Sequence, residues 1–183
     1  MQKATTVGRR RGRLMLLCIL LTPLMLVNCG YRFSAGGEHI APDIRQIYVD
    51  AFTNDTSEAY VENYVRNGFI DQFRRSTRFT ITDGKETADA VLTGSVKNVR
   101  LSPLASDRFD KTTENRVWMV IGIQFKDRRT GKMIYVNRAL TGEQSYLLDQ
   151  TDINRSSINR SAALQKLSLD LSEAGFRAIM SGF

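Results

Sequence analysis

Residues 115–126, NRVWMVIGIQFK, alternate along their length: Val117, Met119, Ile121, Ile123 and Phe125 fall on one side, and Arg116, Trp118, Val120, Gly122, Gln124 and Lys126 on the other. A period of two held this long predicts a strand with one buried face. Asp127-Arg128-Arg129-Thr130-Gly131 then reads as a hairpin loop, and MIYVNRAL, 133–140, as the antiparallel return. Upstream, ADAVLTGSVKNVRL, 88–101, sets Ala88, Ala90, Leu92, Gly94 and Val96 on one side, after which the apolar positions switch to Val99 and Leu101. A change of parity near Lys97-Asn98 predicts a bulge. The β-branched and aromatic segments IRQIYVDAF, 44–52, with Ile47 and Val49 on one face, and RFTIT, 78–82, predict two further strands.

Elsewhere the period lengthens. In residues 59–75, AYVENYVRNGFIDQFRR, Val61, Val65, Phe69 and Phe73 recur every fourth position while Glu62, Arg66 and Asp71 take the other side. This predicts a helix lying on the sheet, with Gly68 on its inner side for a close approach. The turn before it, residues 53–58, offers Asp55 and Glu58 as a capping box. Residues 156–180 carry Leu164, Leu167, Leu171, Ala174 and Ala178 at 3-4-3-4 spacing, a second amphipathic helix. The order strand, helix, strands, hairpin, helix predicts an α+β two-layer sandwich, with both helices packed on one face of a mixed, mostly antiparallel sheet. The other face, bearing Trp118 and Val120, either stays open to a partner or a lipid or is hidden by twist and loops.

The N-terminus changes the picture of where this domain resides. Residues 1–13 hold Lys3, Arg9, Arg10, Arg11 and Arg13 and no acid, and residues 14–27, LMLLCILLTPLMLV, are apolar apart from Thr22 and Pro23. A basic stretch before a short apolar run is the form of a secretory signal, and the run is shorter than the about 20 residues a spanning helix needs. Leu26-Val27-Asn28-Cys29 resembles the lipobox of bacterial lipoproteins, with Asn28 where Gly, Ala or Ser is preferred. The expected organisation is a signal peptide over 1–28, a tether over 29–43 acylated at Cys29, and a single α+β domain over 44–183. Two or three acyl chains hold a soluble domain firmly where one is marginal, since each buried CH₂ contributes about 0.8 kcal/mol. Gly30, in place of an aspartate after the cysteine, resembles the pattern of lipoproteins moved to the outer membrane.

Removing the signal also removes most of the net charge of +7. Five of the 26 basic residues and none of the 19 acids precede Cys29, so 21 bases face 19 acids in the mature chain, a net of +2. No single-sign field remains to steer a nucleic acid. The only other cysteine, Cys18, lies inside the signal, so the mature domain has no pair for an internal disulfide and rests on hydrophobic packing.

Catalytic patterns are missing. The sole histidine, His39, sits in the tether, which leaves no Cys/His set for zinc, and no nucleophile elbow or metalloprotease helix occurs. Carboxylates such as Asp107 with Asp110, or Glu58 with Glu62, read as solvated partners. The expectation is a binding module, not an enzyme, with no catalytic residue, metal or cofactor. Lys97, Arg100, Arg108, Lys111 and Arg116 gather on two predicted strands and the loop between them. This set has two readings: contacts to phosphate groups, or a mixed solvated hairpin, because Asp107, Asp110 and Glu114 interleave.

Several stretches together resemble the LptE family of lipopolysaccharide-assembly lipoproteins. They are Cys29-Gly30-Tyr31-Arg32-Phe33, Pro42-Asp43-Ile44-Arg45-Gln46-Ile47, Phe52-Thr53-Asn54-Asp55-Thr56, Ala88-Asp89-Ala90-Val91-Leu92-Thr93-Gly94 and Asp127-Arg128-Arg129-Thr130-Gly131-Lys132, with Tyr146 and the Ala/Leu-rich last helix. The resemblance implies an outer-membrane lipoprotein facing the periplasm. It would plug the β-barrel of LptD, help that barrel assemble and contact lipopolysaccharide on its way to the outer leaflet. An alternative is a lipid-anchored activator of a periplasmic cell-wall synthase. The short stretch 30–43, reaching at most about 3.3–3.6 Å per residue, favours a partner in the membrane over one near the wall.

Overall fold

A computed structural model of the chain describes residues 37–106 and 112–182. Its strands are β1 (Gln46–Val49), β2 (Thr53–Asn54), β3 (Thr80–Ile81), β4 (Ala90–Ser106), β5 (Thr112–Asp127) and β6 (Met133–Leu147), and its helices α1 (Val61–Arg75) and α2 (Ile153–Ser181). They form one mixed sheet in the order β3-β1-β4-β5-β6, with the short β2 beside β4. β1 runs parallel to β3 and β4, β2 runs parallel to β4, and β4, β5 and β6 form an antiparallel meander. This is the α+β architecture that the two periodicities predict.

The alternation in β5 decides where the core sits. Val117, Met119, Ile121, Ile123 and Phe125 are buried, facing Ala90, Leu92 and Val96 of β4 on the same side of the sheet. Val61, Val65, Phe69 and Phe73 of α1 close over them. Each such side chain contributes about 1.5–3 kcal/mol on full burial. Phe73 is a hub: its ring centroid lies 5.1 Å from Phe176 and 5.5 Å from Phe79, both edge-on, and 5.8 Å from Phe125. The predicted bulge is present, a register shift between Val96 and Asn98 that leaves Lys97 as the extra residue.

Three local expectations are corrected. α1 has no capping box: Tyr60 precedes it in the left-handed region at φ 68°, without a side-chain cap. The preceding turn is held by Asn54, which donates to the Glu58 carbonyl (2.7 Å) and the Glu62 carboxylate (2.8 Å) and accepts from the Thr56 N–H (3.0 Å). Gly68 serves helix against helix, since a Cβ there would lie 2.5 Å from Ser172 Oγ and 2.9 Å from its Cβ in α2. The buried stripe of α2 is Ala163, Leu164, Leu167, Ser168, Leu171, Ser172, Gly175 and Ile179, whereas Ala174 and Ala178 are only half-buried. Ser168 and Ser172 tolerate burial because their hydroxyls bond the carbonyls four residues back, Leu164 (2.8 Å) and Ser168 (2.7 Å).

The meander is longer than its hydrophobic pattern. β6 continues through the polar TGEQSY to Leu147, and Gly142 there makes room for Leu167 and Leu171. β4 and β5 run on past the core to Ser106 and Thr112, where ladder pairing continues although most of residues 100–106 are exposed. At the opposite end of β5, residues 37–43 lie against the domain. Ile40 is only 2% exposed, and the Arg78 guanidinium donates to the carbonyls of Gly37 (2.6 Å), Ile40 (2.7 Å) and Ala41 (3.1 Å).

Candidate functional site on the open sheet face

With the apolar positions of the meander committed to the helices, every second residue points the other way. There β5 pairs Trp118 with Arg100 of β4 and with Glu143 of β6, and pairs Val120 with Asn98 and Thr141. Trp118 is 42% exposed and Val136 of β6 is similarly open. The sheet face is therefore open here, which decides between the two readings its sequence allowed.

Three members of the predicted basic set meet on this face. Arg100 stands directly across from Trp118, and Arg116 lies two residues along β5 on the same side. The bulge turns Lys97 outward, and its stem crosses Gly122, where a Cβ would come within 2.8 Å of Lys97 Cε. A glycine in the outward row of an otherwise bulky strand thus makes space for a lysine chain from its neighbour. Arg116 is joined to Glu143 at 3.4 Å, both partly exposed. Lys97 and Arg100 have no ion pair among the described residues. Arg108, Lys111 and Cys29 lie outside the described residues.

Lys97 also borders a hollow of about 230 Å³ between the three strands, lined by Ser95, Gly122, Gln124, Val136 and Arg138 among others. Arg138 escaped the sequence reading because it sits in the irregular stretch of β6 between Asn137, opposite Ile123, and Leu140, opposite Ile121. Gly122 was the available signal. The surface offers cationic groups, hydroxyls, an amide and apolar patches side by side, which suits an amphipathic anion better than a small neutral molecule.

Groups with altered acidity lie elsewhere and serve the fold. The N–H groups of Gln46 and Arg45 hold the Asp89 carboxyl below the usual range, at 2.9 and 3.0 Å. The Thr130 N–H does the same for Asp127 inside the β5–β6 turn, and the Thr151 hydroxyl for Asp149 before α2. Among the described residues no cluster of His, Cys, Asp and Glu is set to hold a metal, and no helix is long and apolar enough to cross a membrane. Of the acid pairs noted in the sequence, Glu58 is bound to Arg160 of α2, and Glu62 to Asn54.

A family model for lipopolysaccharide assembly, LptE, matches residues 44–179, from just before β1 to the last turns of α2. The chain belongs to the LptE family. No curated protein sequence matches it. Two solved structures share the fold of this LptE-family chain. A candidate lipoprotein from Caulobacter crescentus CB15 is 10% identical, with a TM-score of 0.53, covering 74% of this chain and 89% of its own. An uncharacterized lipoprotein B from Nitrosomonas europaea is 10% identical, with a TM-score of 0.51, covering 76% and 84%. At such identities the likeness speaks for architecture, while the match over 44–179 carries the assignment to lipopolysaccharide assembly.

Proposed function

We propose that this LptE-family chain is an outer-membrane lipoprotein anchored through Cys29 and facing the periplasm. In this reading it plugs an LptD-type β-barrel, assists that barrel's assembly and contacts lipopolysaccharide during insertion into the outer leaflet. The chain does no chemistry of its own; it binds. The observation that carries the reading is the open face, where Arg100 and Arg116 flank the exposed Trp118 and Lys97 lies farther along the same face over Gly122. Cations beside an aromatic and an apolar strip match a ligand whose phosphates sit next to acyl chains. Arg108 and Lys111, which fall between β4 and β5 in the sequence, belong to the same proposed contact set.

The test replaces Lys97, Arg100, Arg108, Lys111 and Arg116 together by Gln and measures lipopolysaccharide binding to the purified mature chain. Partly exposed charge contacts contribute about 0.2–1 kcal/mol each, so the five together are expected to weaken binding about fivefold or more. Unchanged affinity retires the phosphate contacts. Separately, a C-terminal tag should co-purify a β-barrel of the LptD type in near-equal amount from outer membranes. Recovery of a cell-wall synthase instead would move the chain to the activator role.

A further inference from the structure

β6 ends the sheet, and its outer edge runs for 15 residues, Met133 to Leu147, against 2 for β3 at the other end. Long bare edges are normally blunted by proline, by like charges or by bulges. β6 has no proline and only two charges, Arg138 and Glu143, of opposite sign. Both are exposed and both lie on the open face, Glu143 opposite Trp118 and Arg138 at the hollow beside Lys97. Arg138 has no ion pair among the described residues.

The ladder bonds fix which backbone groups are free. The Leu148 N–H donates to the Thr113 carbonyl (3.0 Å), so residues 146, 144 and 142 bond β5 in turn, while 147, 145, 143 and 141 direct their N–H and carbonyl groups outward. At two of these, side chains stand in for a neighbouring strand: the Asn159 amide donates to the Leu147 carbonyl (2.9 Å) and the Gln144 amide to the Ser145 carbonyl (3.1 Å). The outward backbone groups of Thr141 and Glu143 have no partner among the described residues. β6 also carries a bulge of its own: Asn137 faces Ile123 and Leu140 faces Ile121, so Arg138 and Ala139 together fill one place.

We propose that this edge pairs antiparallel with the same edge of a second copy of the chain, about a two-fold axis at Thr141. Such a contact requires a strand to complement its own reverse, and about Thr141 this one does. Leu140 meets the partner's Gly142, and the bulge sets Arg138 against the partner's Glu143. Further out, Asn137 meets the partner's Gln144 and Tyr135 the partner's Tyr146. Without the extra residue of the bulge, Arg138 would stand opposite an amide instead. Faces agree as well, since the amide and tyrosine pairs fall on the helix side and the Arg–Glu pairs on the open side. The two-fold axis makes each of these contacts twice. The pairing belongs to the chain free of a barrel and leaves Trp118 uncovered. It goes beyond the barrel reading and depends neither on it nor on acylation of Cys29.

The test is sedimentation of the purified, unacylated mature chain under reducing conditions across a wide range of concentration, where a monomer–dimer equilibrium is expected. Arg138→Glu or Glu143→Arg replaces two unlike cross-strand contacts by two like ones, and each alone should weaken self-association about fourfold or more. Mixing those two variants sets an acid against a base at both contacts, so the mixture should dimerise as the wild type does. Thr141→Pro removes an N–H that faces solvent in the monomer, which an edge strand tolerates, and should abolish the dimer with circular dichroism unchanged. Should that variant unfold, the mixed pair decides. A wild type that stays monomeric overturns the pairing and leaves the edge to a strand of another protein. A dimer that ignores both charge reversals, or variants that fail to recover on mixing, overturns this register.

Discussion

Replacing Gly68 by Ala sets two effects of known sign against each other. In the middle of α1 a glycine costs about 0.5–1 kcal/mol relative to alanine, so on an open helix surface the change would stabilise. Here the new methyl meets Ser172 of α2, at 2.5 Å from Oγ and 2.9 Å from Cβ. The hydroxyl can rotate away, but it then gives up its contact with the Val65 carbonyl at 2.9 Å, worth about 1 kcal/mol, though the bond to Ser168 can remain. The Cβ–Cβ contact cannot be relieved by rotation. Carbon atoms pack at about 3.5–4.0 Å, so the helices must separate by more than half an ångström, and overpacking of this kind costs about 1–3 kcal/mol. The steric cost wins, leaving a net loss of about 2 kcal/mol, or about 4–8 °C in Tm for a domain of this size. Urea unfolding of the mature chain followed by circular dichroism measures the loss. Ser172→Gly removes both offending atoms, so the double variant should recover most of it, with a coupling energy of about 1–3 kcal/mol. A stabilised Gly68→Ala, or strict additivity in the cycle, would refute the seam.

Asp89→Asn removes the charge that accepts the N–H groups of Arg45 and Gln46 and should cost about 1.5–3 kcal/mol at neutral pH. Because the folded carboxyl titrates below its unfolded value, its contribution is complete above that value and fades as pH falls through the folded one. Wild type and variant should therefore converge in acid, which a pH series of urea midpoints checks; a constant gap would show that the charge is not responsible. Gly94→Val drives its Cβ into the Phe52 ring and should destabilise by about 3 kcal/mol or more, read as a drop in urea midpoint with the m-value unchanged. Trp118 is the single tryptophan in the chain, so its emission should begin red-shifted and move to the blue when lipopolysaccharide covers the open face. An unmoved spectrum at saturating ligand would place the contact elsewhere. Lengthening Lys97's path by Gly122→Val should displace its stem from the sheet and weaken lipopolysaccharide binding without loss of the meander, testable by binding together with circular dichroism.

Alternation with period two and recurrence with period four were sufficient to locate the buried faces of β4, β5 and α1, because a strand or helix with one apolar side can bury only that side. Val117 through Phe125 and Val61 through Phe73 are buried as their spacing requires. The bulge at Lys97 was legible too, since a parity switch inside a strand has few other causes. The basic set was visible as a cluster in sequence, but the face that Lys97, Arg100 and Arg116 share depended on register: Arg100 meets Trp118 only because the bulge shifts β4 against β5 by one residue.

What the pattern could not supply were contacts made by small or polar groups. Ser168, Ser172 and Gly175 carry little hydrophobic signal, yet they form the buried seam of α2, because close helix approach selects for size and for hydroxyls that bond back to the helix. The polar second half of β6 becomes strand through ladder bonds to β5, which favour no particular side chain. Arg138 comes beside Lys97 only when three strands are laid together. The clamp on residues 37–43 is equally tertiary, because the carbonyls that Arg78 holds lie 37 to 41 positions away in sequence. By itself the sequence determined the fold class, the core faces and the family, properties written in local periodicity and motif. Which surface stays open, what the bulge brings together and how residues 37–43 are held against the domain were decided by long-range packing, where the free energy depends on neighbours that no local window contains.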